Sequence, residues 1–271
     1  VSEELQVPPA EFQSYYGRPI LKVTRWKEPH LPAYLVLGEL SGALALVGAL
    51  AHATGRSALA RTARIGSAAA AYGGGAFLTA ELGRPERFLN MLRVAKPTSP
   101  MSMGSWILAS HSGLVSAAAA SEITGLMPVV GTAAGLAAAV TGPALAAYPG
   151  VLLANTAVPA WHVSYRELPL LFAGGAMTAA AATGLAVGAL ATDRDDFEVA
   201  RRLAIVGAAV ESAAGYALEA RSGPEADPYR AGDGARMLTA AKYLTLSGGV
   251  AALAARRSRI AALAAAALLA G

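Results

Sequence analysis

The stretch Ala33-Tyr-Leu-Val-Leu-Gly-Glu-Leu-Ser-Gly-Ala-Leu-Ala-Leu-Val-Gly-Ala-Leu-Ala-His-Ala53 decides the fold class. As a helix it rises about 30 Å, the thickness of a bilayer's hydrocarbon core. It is apolar nearly all round, whereas a helix of a soluble bundle carries charges along its wet face. Further stretches of the same character follow at residues 65–81, 101–120, 129–155, 168–191, 202–219 and 237–255. They are built from Ala, Leu, Val and Gly, and pairs such as Gly174-Gly175 suit the close helix approach that joins spans in lipid. The last candidate, Ile260 to Gly271, rises only about 18 Å and is expected to be the first part of a helix whose remainder lies past residue 271. The chain thus reads as an all-α integral membrane protein of about eight transmembrane helices. Residues 1–32 form an extramembrane N-terminal arm, and residues 33–271 form a single transmembrane domain. The arm lacks the basic-then-apolar pattern of a signal peptide, so the first span is expected to direct insertion.

Composition narrows the chemistry. Of 271 residues, 55% are hydrophobic and 15% charged, which excludes disordered and collagen-like classes. With no Cys, the chain holds no iron-sulfur cluster of its own and no disulfide scaffold, and four scattered His make a structural zinc site a poor fit. Any redox centre is borrowed from a partner. The formal charge of +4 lies in short clusters between apolar runs, which points to a membrane partner rather than to nucleic acid. Short connections concentrate Arg56, Arg61, Arg64, Arg194, Arg201, Arg202, Arg256, Arg257 and Arg259. By the positive-inside rule those connections face the cytoplasm and the arm lies outside it, in a cell inner (plasma) membrane, although the longer loops on the arm's face hold more basic residues in total.

The connection from Glu81 to Trp106 packs Arg84, Arg87, Arg93 and Lys96 among three prolines. Prolines fix backbone and stop helices, so this is a shaped platform, read either as a lipid-headgroup contact or as a docking surface for a partner protein. Ionisable residues inside spans need individual reasons. Glu39 in the first span, His111 in the third and Glu211 in the sixth, with Arg201 and Arg202 at that span's start, are candidates for proton transfer or for plain inter-helix hydrogen bonds. His52, Glu81 and Lys242 lie near span ends, where their polar heads snorkel.

Four motifs occur in order at span boundaries: Leu82-Gly-Arg-Pro-Glu-Arg-Phe88, Lys96-Pro-Thr-Ser-Pro-Met-Ser-Met-Gly-Ser-Trp106, Tyr148-Pro-Gly-Val-Leu-Leu-Ala-Asn-Thr-Ala-Val-Pro-Ala-Trp161 and Leu168-Pro-Leu-Leu-Phe172. In these the chain resembles the NrfD/PsrC family, the membrane subunits of polysulfide-reductase-type complexes, from residue 30 to about 205. The resemblance implies two four-helix bundles and a metal-free anchor with no activity alone. It would exchange electrons between an iron-sulfur (ferredoxin-like) subunit and membrane quinone, with menaquinone favoured, and reach a molybdopterin catalytic subunit through that partner. Formate dehydrogenase is the preferred complex, by analogy.

The resemblance also places quinone against His30, Tyr34 and Tyr148, where the sulfur-reducing relatives usually carry His or a similar residue at the Tyr34 position. Tyr34 equally suits an interfacial aromatic belt and His30 a solvated arm. Tyr148 lies in a long apolar segment whose helical ladder Pro149 is expected to break. His162, where the family usually has Asn, is read as a contact to the electron-donating subunit, to the quinone entrance, or to solvent. Two rival readings are a secondary transporter, which would show matching broken helices in its two halves, and a scaffold without a working quinone pocket. No sequence repeat is evident, and Pro143 and Pro149 have no counterpart in the eighth span.

Overall fold

The computed structural model describes Tyr16, Trp26 and residues 28–190, 194–221, 223–256 and 258–270. Most of the expected arm, residues 1–15, 17–25 and 27, lies outside the described residues. The described chain is helical: α1 (His30–Ala53), α2 (Ser57–Glu81), α3 (Pro100–Thr124), α4 (Pro128–Ala154), the short α5 (Pro159–Val163), α6 (Glu167–Leu190), α7 (Arg194–Glu219), α8 (Asp233–Ala255) and α9 (Arg259–Ala270). Two 3₁₀ segments, Pro85–Leu92 and Pro224–Tyr229, lie in the long connections. Prolines start several of these elements, since a first-turn N–H has no helical partner to lose. Gly125, with φ of +71°, ends α3 in the left-handed conformation that favours glycine.

One boundary differs from expectation. Helix α1 begins at His30, so the last residues assigned to the arm belong to the first helix, and Glu39 lies about 13 Å along it. Helix α4 runs unbroken through both Pro143 and Pro149. Tyr148 lies only about 9 Å from the end of α4, near the face of the long connections. In a helix packed among others, neighbours accommodate the carbonyls that proline leaves unpaired.

Among the described residues, four helices are long and apolar enough to cross a membrane: α1, α4, α6 over Glu167–Ala189, and α8. Helices α2, α3 and α7 have the length but carry more polar residues, such as Arg61 and Arg64 in α2 and Glu198, Arg201 and Arg202 in α7. Helix α9 has 12 residues. Four of the expected eight spans thus meet the criteria of length and apolarity together among the described residues.

Packing sorts the helices into two groups. Helices α1 to α4 touch in a ring, α1 to α2, α2 to α3, α3 to α4 and α4 to α1, and α6 to α9 repeat that order. The two rings meet where α6 lies against α1 and α4. The halves therefore share a packing order that their sequences do not display. All the long connections lie at one end of the helices and the short ones at the other.

Contact is closest where side chains are smallest. Gly42 of α1 and Gly142 of α4 face each other so tightly that a methyl on either would overlap the other's carbonyl oxygen. Gly174 of α6 does the same for α7, since its added methyl would stand 2.6 Å from the Glu211 nitrogen. Gly142→Val is expected to lower folded stability by about 1–3 kcal/mol. Gly113→Ala, whose methyl meets nothing within 4 Å, is expected to leave stability unchanged or slightly raised. Thermal unfolding of both variants in detergent checks this pair, and equal loss would refute it.

Candidate functional site

Three features lie at or below the face of the long connections. The first is an aromatic cluster at the start of α1. Tyr34 packs with Leu31, Leu108 and Leu145, and Trp26 and Phe77 border the group. Trp26 stacks on Trp161 with ring centroids 5.4 Å apart, tying the chain before α1 to the segment after α4. The Tyr148 ring fills the space left by Gly104 of α3, where any side chain would overlap it. Tyr34 and Tyr148 are near enough to interact electrostatically, and both side chains are buried. Neither phenol has a hydrogen-bond partner among the described residues. His30 stands at the edge of this group, its Nδ1 3.8 Å from the Glu81 carboxylate and its ring beside Phe77.

The second feature is a cavity of about 630 Å³ between α2 and α3, with walls that are almost wholly apolar. Its lining includes Tyr72, Gly75, Thr79, Ser105 and Leu108, and the 3₁₀ segment closes it with Pro85, Phe88, Met91 and Leu92. Leu108 belongs both to this wall and to the group around Tyr34, so the cavity and that group share a side chain. The volume suits a flat ring with part of an apolar tail. On the outer side of the same segment Arg84 and Arg87 are exposed, followed by exposed Arg93 and Lys96. None of the four makes an ion pair among the described residues. His162 is exposed nearby in sequence to Trp161, and its Nδ1 donates to the Ala154 carbonyl at 3.0 Å.

The third feature is a pair of polar centres at mid-depth, on opposite faces of α1. Glu39 faces α6, its carboxyl lying over Gly175 and within electrostatic reach of Glu211. Glu211 accepts hydrogen bonds from Thr178 at 3.0 Å and from Thr245 at 2.9 Å, drawing α6, α7 and α8 together. Two residues along α1, a turn of about 200°, Ser41 points into the first ring of helices. There Ser41 Oγ lies 3.0 Å from His111 Nε2 and 3.2 Å from Ser67 Oγ, and it donates to the Ser67 carbonyl at 2.8 Å. The Ser67 hydroxyl returns a bond to the Ser41 carbonyl at 2.7 Å. His111 Nδ1 lies 2.9 Å from Thr141 Oγ1, which donates to the Ala138 carbonyl.

A neutral imidazole donates from one nitrogen only, so with a neutral ring one of these hydroxyls turns from its carbonyl toward the ring. A relay through the ring takes a proton at one nitrogen and gives one up at the other, and rotation of the two hydroxyls lets each serve as donor or acceptor in turn.

The predicted proton-transfer residues are thus divided. Glu39 and Glu211 come together, and His111 belongs to a separate centre on the other side of α1. Arg202 joins neither. It is largely exposed near the opposite end of α7, about 13 Å along the helix from Glu211, and bonds Glu198 at 2.9 Å. Ser41, Ser67, Thr141, Thr178 and Thr245 complete both centres, yet hydroxyls are common in spans and carry no spacing that marks them. No group of three or more His, Cys, Asp or Glu able to hold a metal occurs among the described residues.

The family model described as polysulphide reductase, NrfD, matches residues 21–213, more than half of the chain. Membrane subunits of this kind serve quinone-linked oxidoreductase complexes and generally partner iron-sulfur and molybdopterin subunits. No match was found among curated proteins.

At the end of α7 with the short connections, Arg201 and Arg202 donate hydrogen bonds to the Glu198 carboxylate and hold its pKa down to about 2. A carboxyl with a depressed folded-state pKa contributes stability above its ordinary range near 4.5 and loses that contribution as pH falls toward 2. Relative to Glu198→Gln, the wild-type chain is therefore expected to have a higher melting midpoint at pH 6, the difference closing as pH drops below about 4. A difference that stays constant from pH 6 to pH 3 would overturn this assignment.

Proposed function

We propose that this chain, which belongs to the NrfD family, is the quinone-reactive anchor of a respiratory complex. Electrons pass between a docked iron-sulfur subunit and quinone bound near the face of the long connections, and a molybdopterin subunit lies beyond. The observation that carries this reading is the double use of Pro85–Leu92. Its apolar side closes a cavity of about 630 Å³, and its outer side presents Arg84 and Arg87. A partner docked on those arginines would bring its nearest cluster to the roof of the quinone cavity. This keeps the electron path short.

Reduction of a quinone takes two electrons and two protons, and its oxygens change from acceptors to donors. Tyr34 and Tyr148 offer hydroxyls free to meet such an oxygen, with Leu108 as the side chain the head group displaces to reach them. His30, paired with Glu81, borders the aromatic group and completes the proposed quinone site. Glu39 and Glu211 offer carboxyls for proton exchange at mid-depth, and His111 offers a relay on the other face of α1. Arg93, Lys96 and His162 extend the proposed docking face. The seven long helices, and an eighth that α9 begins, cross the membrane in this reading, in two bundles, with the polar flanks of α2, α3 and α7 covered by neighbours. The N-terminal side lies outside the cytoplasm, menaquinone is the preferred substrate and formate dehydrogenase the preferred complex. The transporter reading gains a packing repeat between the two rings, yet it lacks broken helices in matching positions among the described residues.

The test is purification of the complex in mild detergent with quinol-linked electron transfer. Tyr148→Phe is expected to stay assembled and lose about tenfold in turnover, the worth of one hydrogen bond of ordinary strength. Arg84→Glu with Arg87→Glu is expected to lose the iron-sulfur subunit. Should no redox subunit copurify with the wild-type chain, the reading is wrong.

A further inference from the structure

The first ring of helices holds a polar feature that the quinone site does not use. Arg64 lies about 10 Å along α2 from the end with the short connections, and its Nη1 donates to Glu122 of α3 at 2.8 Å. The Arg64 side chain is 10% exposed, and its Nε is buried without a hydrogen-bond partner. Between Arg64 and Ser67 the structure leaves a void of about 10 Å³, bordered also by Ala118 and Gly135. That volume is about one probe sphere, close to what a single water needs. Most of its wall is apolar, from alanines and Val115, and the polar residues that border it are Arg64, with a guanidinium N–H that lacks an acceptor, and Ser67.

We propose that Arg64 and Ser67 hold one water in this void, and that the water, Ser67 and Ser41 carry protons from the Glu122 side of the membrane to His111. This deepens the quinone-anchor reading and rests on it, since quinone chemistry supplies the demand for protons. Each transfer is balanced. With both hydroxyls turned from their carbonyls, the water takes up a proton arriving from Glu122 as it gives one to Ser67 Oγ, Ser67 gives its own to Ser41 Oγ 3.2 Å away, and Ser41 gives its own to His111 Nε2 at 3.0 Å. The ring then releases its Nδ1 proton toward Thr141 Oγ1 at 2.9 Å. No electron moves. Arg64 cannot carry the proton, because its guanidinium stays charged, so it is a positioning residue. Glu122, about a quarter exposed and two residues before the end of α3, holds the guanidinium by Nη1 and collects protons from solvent.

Gly135 of α4 makes the proposal testable without touching a polar group. A methyl there would stand 3.4 Å from Arg64 Nε and 3.8 Å from the Ala118 Cβ, filling the void at ordinary contact distances, and alanine favours the helix. The assembled complex, wild type, Gly135→Ala and Ser67→Ala, is reconstituted in vesicles with a pH-sensitive dye on the short-connection side. Water density is sought in high-resolution maps of the first two. Both variants are expected to retain their subunits and wild-type KM for quinol. Proton exchange on that side should fall about tenfold, and the water seen in wild type should be absent from Gly135→Ala. Unchanged proton exchange in both variants, with quinone-linked turnover intact, would overturn the path while leaving the anchor reading standing. If the wild-type complex shows no quinone-linked turnover, the anchor reading fails, and the proton path falls with it. The map still decides the water: density at Arg64 Nε supports its site, and an empty void refutes it.

Discussion

The contact between Gly42 and Gly142 sets the distance between α1 and α4, and the remaining packing builds outward from α1. Lipid is as apolar as a leucine side chain, so helices in a bilayer gain little from burying apolar surface against each other. They gain from close fit. Two glycines face to face allow backbone contact along the middle of α1. That helix then touches α2 and α4 in one ring and α6 in the other. A larger residue at either position would push apart the helices that hold both polar centres.

Polar groups at this depth persist only when satisfied, because an unpaired one in a dry interior costs several times what a paired one returns. The His111 centre meets this condition, and the carboxyl centre meets it at Glu211 but not at Glu39. The His111 centre uses hydroxyls whose protons can turn between carbonyl and ring, so it is satisfied in more than one arrangement. The carboxyl centre uses two threonines for Glu211, whereas Glu39 has no hydrogen bond among the described residues and instead faces Glu211 across Gly174 and Gly175. Groups with alternative arrangements can pass protons, and fully locked ones cannot. The Arg201–Glu198–Arg202 group near the end of α7 is of the locked kind.

Along the chain, helix positions were legible because runs of Ala, Leu, Val and Gly of bilayer length need no neighbour to be recognised. The exposure of Arg84, Arg87, Arg93 and Lys96 was legible as well, since prolines end helices and charged side chains keep a connection at the surface. Legibility ended where geometry between helices began. Arg202 looked like a partner of Glu211 because both lie in one span, but they sit about 13 Å apart along it and Arg202 turns to Glu198 instead. Pro149 looked like a break, yet packing around α4 kept the helix continuous. The apolar cavity was invisible, because its walls come from two helices and a 3₁₀ segment whose residues are ordinary for a span.

By itself the sequence determined that the chain is helical and membrane-bound, that it carries no cysteine ligands, and which buried ionisable residues required a reason. These follow from composition and local period, which are properties of neighbouring residues. Only the tertiary structure decided that Glu39 meets Glu211 while His111 meets Ser41, that Tyr148 rests against Gly104, and that Arg64 faces a void beside Ser67. Each of these joins residues from different helices. Their juxtaposition depends on the rotation and depth of each helix against the next, which side-chain size at the contacts sets and no single helix encodes.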